Sequence, residues 1–178
     1  MHGIISLLPP PYSEQVRAIW KELEDECGLR GVKVTPIPHF SWQIAQEYDL
    51  ERLQQILSEF AATAHPIQIY TGGLGLFTGP RPIIFIPIIK TTSLIDFHAR
   101  LWERTQAASQ SASPFYSPPA WVPHITLAYE DVDRANISAV MGRLVFRSFS
   151  WEMTIDNLTL IYELNGQVEP LQFKYQFS

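Results

Sequence analysis

One cysteine in 178 residues, Cys27, rules out an internal disulfide, and no Cys/His group has the spacing of a metal site. Cys27 is expected to be a small packing residue near the end of a helix. Long apolar runs are missing too. The longest, Ile83 to Ile89, falls far short of the roughly 20 residues that span a bilayer, and no basic-then-apolar leader with a cleavage site is seen. A cytoplasmic protein without membrane contact is the expectation. Excess basic charge is also absent: 13 Lys and Arg against 18 Asp and Glu give a formal charge of −5. No whole-protein field therefore draws nucleic acid, RNA binding would need a local patch, and DNA is not an expected partner. Carboxylates do not cluster as a metal site requires.

What is present is apolar and aromatic. At 46% hydrophobic and 12% aromatic residues, the chain can bury a core as one domain or two small lobes. Two stretches stand out, Pro38-His39-Phe40-Ser41-Trp42 and Pro123-His124-Ile125-Thr126-Leu127. Each sets a histidine and a hydroxyl two residues apart in an apolar run. On a strand both fall on one face, while Phe40, Trp42, Ile125 and Leu127 point into a core.

Ile4 to Leu8 reads as a strand stopped by three prolines. A helix follows with Ser13 as N-cap, Val16, Trp20, Leu23 and Cys27 at helical spacing, and Gly28 and Gly31 available to end it. Val34 to Ala45 is the first motif strand, at an edge or with an irregular start because of Pro36 and Pro38. Asp49 caps a second helix with Leu50, Leu53, Leu57, Phe60 and Ala64 inward. Pro66 to Tyr70 is a strand, Gly72 to Pro80 a turn-rich connection, and Ile83 to Ile89 a buried strand interrupted at Pro87. A third helix spans about Thr92 to Thr105, with Leu94, Phe97 or His98, Leu101 and Trp102 inward. Ala107 to Pro119, rich in Ser, Ala and Pro, lacks the pattern of an element. Trp121 to Tyr129 is the second motif strand, and Asp131 or Asp133 caps a fourth helix with Ile137, Val140 or Met141, and Leu144 inward. Phe149 to Tyr162 reads as one long strand. Asn165-Gly166 is a hairpin turn, and Leu171, Phe173, Tyr175 and Phe177 alternate on the return strand.

The order helix, motif strand, helix, strand, strand occurs twice, and His39 and His124, like Ser41 and Thr126, stand 85 residues apart. The expected fold is α+β: one bilobal domain over residues 1–178, a pseudo-twofold duplication of units about 13–89 and 92–177. Its lobes are intertwined, two antiparallel sheets form a central cleft, and helices cover the outer faces.

Two imidazoles facing each other can act as base and acid near neutral pH. Two hydroxyls beside them can donate to an anion. A phosphodiester fits, because attacking and leaving oxygens lie on opposite sides of phosphorus while the hydroxyls hold the non-bridging oxygens without a metal. His98, on an apolar helix face, reads as a core or boundary residue, and His65 before Pro66 as a turn residue. Phe77 either stacks a base or anchors a loop, and Tyr129 either contacts substrate or packs at a strand end.

These residues resemble the 2H phosphoesterases, within them the 2'-5' RNA ligase-like and cyclic phosphodiesterase branch, named for two His-x-Thr/Ser-x motifs. The resemblance covers nearly the whole chain, including Gly73-Leu74-Gly75-Leu76-Phe77 with Arg81-Pro82 between the motifs and Phe115 to Ala128 leading to the second. It implies a bilobal fold and metal-free, cofactor-free action on 2',3'-cyclic phosphates or 2'-5' linkages. His39 and His124 would be the acid/base pair and Ser41 and Thr126 the phosphate holders, with Phe77, Arg81 and Tyr129 as further substrate contacts. Some cyclic phosphodiesterases place a tyrosine five residues after the second histidine, as Tyr129 stands here, where ligase-like members often have an arginine. Ser41 replaces the commoner Thr but keeps the donor, and Trp42-Gln43 replaces a small aliphatic run. Basic residues are scattered, at Arg81, Lys90, Arg143 and Arg147, which favours a nucleotide cyclic phosphate or short RNA end as partner. The expected protein is a monomeric cyclic phosphodiesterase, the alternatives being a 2'-5' RNA ligase or RNA-end processor and a nucleotide-binding module without turnover.

Overall fold

The structure, a computed structural model, describes residues 2–164 and 167–178, without the side chains of residues 162–172. The Asn165-Gly166 turn and the inward side chain of Leu171 lie outside the described residues. Strands β1 (His2–Leu7), β2 (His39–Tyr48), β6 (Ser109–Ala112), β9 (Asn157–Leu164) and β10 (Gln167–Gln176) form a sheet in the order β10-β9-β1-β2-β6. Strands β4 (Gly75–Phe77), β5 (Ile83–Pro87) and β7 (His124–Ala128) form a second in the order β4-β5-β7. A third pair, β3 (Ile67–Tyr70) with β8 (Glu152–Ile155), is linked to it by the bridge Thr71↔Ile88. All the pairings are antiparallel.

Helices α2 (Leu50–Ala61) and α3 (Thr92–Gln106) back the five-stranded sheet, while α1 (Tyr12–Cys27) and α4 (Ile137–Leu144) pack on the side of β7. Each lobe therefore takes elements from both halves of the chain. The first helix lies behind the second motif strand, and the third helix behind the first. Apolar positions drive this: Val16, Ile19 and Leu23 of α1, Leu53 and Leu57 of α2, Leu94, Phe97 and Leu101 of α3, and Val140 and Leu144 of α4 are all buried.

Several expected boundaries move. Ser13 does not cap α1; its amide and that of Gln15 donate to the carbonyls of Pro9 and Pro11, so the proline-fixed turn itself starts the helix. Asp49 caps α2 as expected, accepting from the Arg52 amide at 3.1 Å. Asn136, not an aspartate, is the N-cap of α4: Asp133 Oδ1 accepts from the Ala135 and Asn136 amides and builds the preceding turn, while Asp131 is engaged elsewhere. The first motif strand begins at His39 rather than Val34, since Gly31–Val34 is a 3₁₀ turn and Pro36 and Pro38 offer no N–H to a ladder. The long strand read over Phe149 to Tyr162 divides at Asp156, β8 pairing with β3 and β9 with β1. β6, within the segment read as featureless, is an edge strand on β2, mostly exposed and so without apolar alternation. β4 likewise lies in what read as a connection.

Candidate active site

Both motif strands carry the same irregularity. In β2 the partners on β1 run Leu7↔His39, Ser6↔Phe40, Ile5↔Ser41 and then Ile4↔Gln43, so Trp42 is the extra residue of a bulge. In β7 the partners on β5 run Pro87↔His124, Ile86↔Ile125, Phe85↔Thr126 and then Ile84↔Ala128, so Leu127 is the extra residue. A bulge bends its strand and re-aims the side chains beside it. Here it follows the hydroxyl residue each time. Phe40, Trp42, Ile125 and Leu127 are buried in the core, while His39, Ser41, His124 and Thr126 on the opposite face are partly exposed.

The carbonyls at the two bulges find indole donors. Trp121 Nε1 donates to Ser41 O at 3.0 Å, and Trp20 Nε1 donates to Thr126 O at 3.0 Å. Behind β2, His98 Nε2 donates to Trp42 O at 3.0 Å while its ring stacks on Trp121 at 3.8 Å.

Each catalytic-candidate histidine is held the same way. His39 Nδ1 lies 2.5 Å from Ile37 O and His124 Nδ1 lies 2.7 Å from Val122 O. A carbonyl only accepts, so Nδ1 must carry a hydrogen, and Nε2 is left as the atom that takes or gives up a proton. β2 and β7 lie against each other, and the two imidazoles are close enough to interact electrostatically. Burial holds both below the ordinary imidazole value. The carbonyl bonds work against this, and for His39 the charge of His124 adds to the lowering.

On the β7 side the imidazole is packed by aromatic rings. Phe85 lies 4.9 Å from His124 and Phe77 5.1 Å from it, edge-on at 87°, with the two phenyl rings 4.3 Å apart. Gly75 makes this possible: a Cβ there would sit 2.1 Å from the Phe85 ring. Phe77 thus packs against His124. Gly31 plays a related part between the two halves of the chain. A Cβ there would sit 1.6 Å from Tyr129 O, and Asp131 Oδ2 accepts from the Gly31 amide at 2.6 Å, tying the approach to the first motif to the end of the second.

Tyr116, which nothing in the sequence pattern singled out, brings its phenol to the Ser41 hydroxyl and within electrostatic reach of Tyr129. Burial raises its pKa, and the hydrogen bond with the Ser41 hydroxyl works against this. Arg81 is at an exposed position, 3.5 Å from Glu130. A groove of about 640 Å³ lined by Thr63, His65, Asp96 and Arg100 among others holds none of the motif residues. Among the described residues no group of three or more His, Cys, Asp and Glu side chains could hold a metal ion.

His98 has a consequence for stability. Burial, chiefly, pushes its pKa down to about 4, so the folded protein keeps it neutral where the unfolded chain, at 6.5, is protonated. Its contribution is full above pH 6.5 and is lost as pH falls toward 4. Thermal midpoints measured across that interval should fall with acidification, and His98→Gln should flatten the slope whatever it does to the midpoint at neutral pH. An unchanged slope would remove His98 from the account.

The sequence profile of the 2'-5' RNA ligase superfamily matches residues 8–167. A candidate phosphoesterase of Oceanobacillus iheyensis is 28% identical over 169 residues, covering 93% of this chain and 91% of that one. Among solved structures, TT0787 of Thermus thermophilus superposes with a TM-score of 0.68 at 19% identity, covering 99% of this chain and 97% of its own. Escherichia coli LigT superposes with a TM-score of 0.64 at 14% identity over 99% and 96% of the two chains. No helix among the described residues is long and apolar enough to cross a membrane. With its paired His-x-Ser/Thr strands matched across nearly its whole length, the chain belongs to the 2'-5' RNA ligase superfamily of 2H phosphoesterases.

Proposed function

We propose that this protein is a metal-independent phosphodiesterase that opens 2',3'-cyclic phosphates on nucleotides or short RNA ends. His39 and His124 are its acid–base pair, and Ser41 and Thr126 hold the non-bridging oxygens. The observation that carries this reading is the doubled geometry: one bulge, one indole-held carbonyl and one Nδ1–carbonyl bond at each motif. One neutral imidazole takes a proton from water through Nε2 as the water oxygen bonds to phosphorus. The other, protonated, gives its proton to the leaving ribose oxygen as that P–O bond breaks. The product is a phosphomonoester, and the pair resets by exchanging a proton with solvent.

A nucleotide-sized substrate is supported from two sides. LigT, which shares the fold, has been solved with ATP, 3'-AMP and NADP+. The scattered cations here are largely neutralised, Arg81 by Glu130 and Arg143 and Arg147 by Glu22 and Glu26, which leaves little basic path for a long strand.

The test is turnover of the four nucleoside 2',3'-cyclic phosphates in excess chelator, beside a 2'-5'-linked dinucleotide and an RNA stem at several salt concentrations. Ring opening of the cyclic phosphates, unchanged by chelator, is the expected result. Tight, steeply salt-dependent stem binding without ring opening would replace this reading with RNA-end processing or ligation, and cyclic-nucleotide binding without product would replace it with a binding module.

A further inference from the structure

Trp20 and Trp121 occupy unrelated places, one in helix α1 and the other in the loop before β7. They stand 101 residues apart, not the 85 that relates the two motifs, so the repeat does not account for them. Yet each delivers its indole N–H to the same backbone atom, the carbonyl of the hydroxyl residue at the bulge. The arrangement is crossed. Trp20, from the first half of the chain, serves Thr126, and Trp121, from the second half, serves Ser41. A bulge leaves its strand without regular ladder bonds at that point, so the peptide following Ser41 or Thr126 is oriented by whatever donor it finds. That peptide in turn fixes the direction of the hydroxyl.

We propose that Trp20 and Trp121 are positioning residues for the two phosphate-holding hydroxyls, Trp20 acting through Thr126 and Trp121 through Ser41, so that the donor-to-donor gap is set by two clamps that cross between the halves of the chain. The proposal rests on the phosphodiesterase reading. Phenylalanine at either position keeps an aromatic ring but removes the N–H, leaving the carbonyl unpaired and free to turn.

Crossed double-mutant cycles test it. Trp20→Phe is expected to lower kcat about tenfold with Thr126 present, under about twofold when Thr126→Val has removed the hydroxyl to be aimed, and again about tenfold on Ser41→Ala. Trp121→Phe is expected to show the reverse dependence. Because Trp121 also stacks on both His98 and Trp42, the Trp20 cycle decides the matter if Trp121→Phe does not fold. Equal losses on every background mark the indoles as structural only and overturn the proposal. The same cycles are read on inorganic phosphate binding by ³¹P NMR. If the wild-type protein opens no phosphodiester but phosphate binding keeps the crossed coupling, the phosphodiesterase reading falls and the positioning role stands; phosphate binding without coupling, or none at all, overturns both.

Discussion

His39→Ala and His124→Ala are each expected to lower kcat for ring opening by about 10³-fold, the range in which a positioned acid or base contributes. The expectation is the same for both because the two imidazoles are built alike, with Nδ1 committed to a carbonyl and Nε2 left to carry the proton. Removing both should cost little more than removing one, since a pair that must work together fails when either member is lost. Steady-state rates on folded variants, checked by thermal unfolding, measure this. Independent, multiplying losses would mean that the two histidines contribute separately and do not act as one coupled pair.

Ser41→Ala and Thr126→Val come next. In the proposed reaction each deletes a donor aimed at charge that grows on the non-bridging oxygens, and the loss expected is about 10²-fold in kcat with KM little changed. The two sides are not equivalent. Tyr116 lies beside Ser41 and can partly replace a lost donor, so Thr126→Val should cost more than Ser41→Ala, and Tyr116→Phe combined with Ser41→Ala should close the difference. Losses confined to KM would show that the hydroxyls bind substrate and transition state equally, against the role assigned to them.

The motif residues were legible because strand alternation and a fixed offset are local properties of a sequence. Phe40, Trp42, Ile125 and Leu127 fall into the core and the histidines and hydroxyls onto the open face as the period of two requires. The bulges were not legible, since Trp42 and Leu127 become extra residues only through the registers of β1 and β5 against them. Trp20 reads as one apolar position of a helix, and its spacing is consistent with that. Where its N–H goes depends on a strand 106 residues away, and no periodicity reports such a contact. Phe77 read as a base-stacking candidate or a loop anchor; the structure sets it against His124, held there with Phe85 by the absence of a side chain at Gly75. β6 was hidden because an exposed edge strand needs no buried face.

The crossing of helices between the halves follows from the same limit. A repeat in the sequence says that two similar units exist, but not that each unit lends its helix to the other's motif strand. That exchange links the two motif strands across the halves of the chain: α1 reaches β7 through Trp20, and the loop before β7 reaches β2 through Trp121.

The central claim is that His39 and His124 work as one acid–base pair, and the pH dependence of kcat/KM for cyclic-phosphate opening, taken in chelator, tests it most directly. Burial holds both imidazoles of the free protein below 6.5, so the expected profile is a bell whose maximum lies on the acid side of that value, its two apparent constants belonging to the coupled pair. A profile with a single limb, or a bell that persists in His39→Ala or His124→Ala, would contradict it.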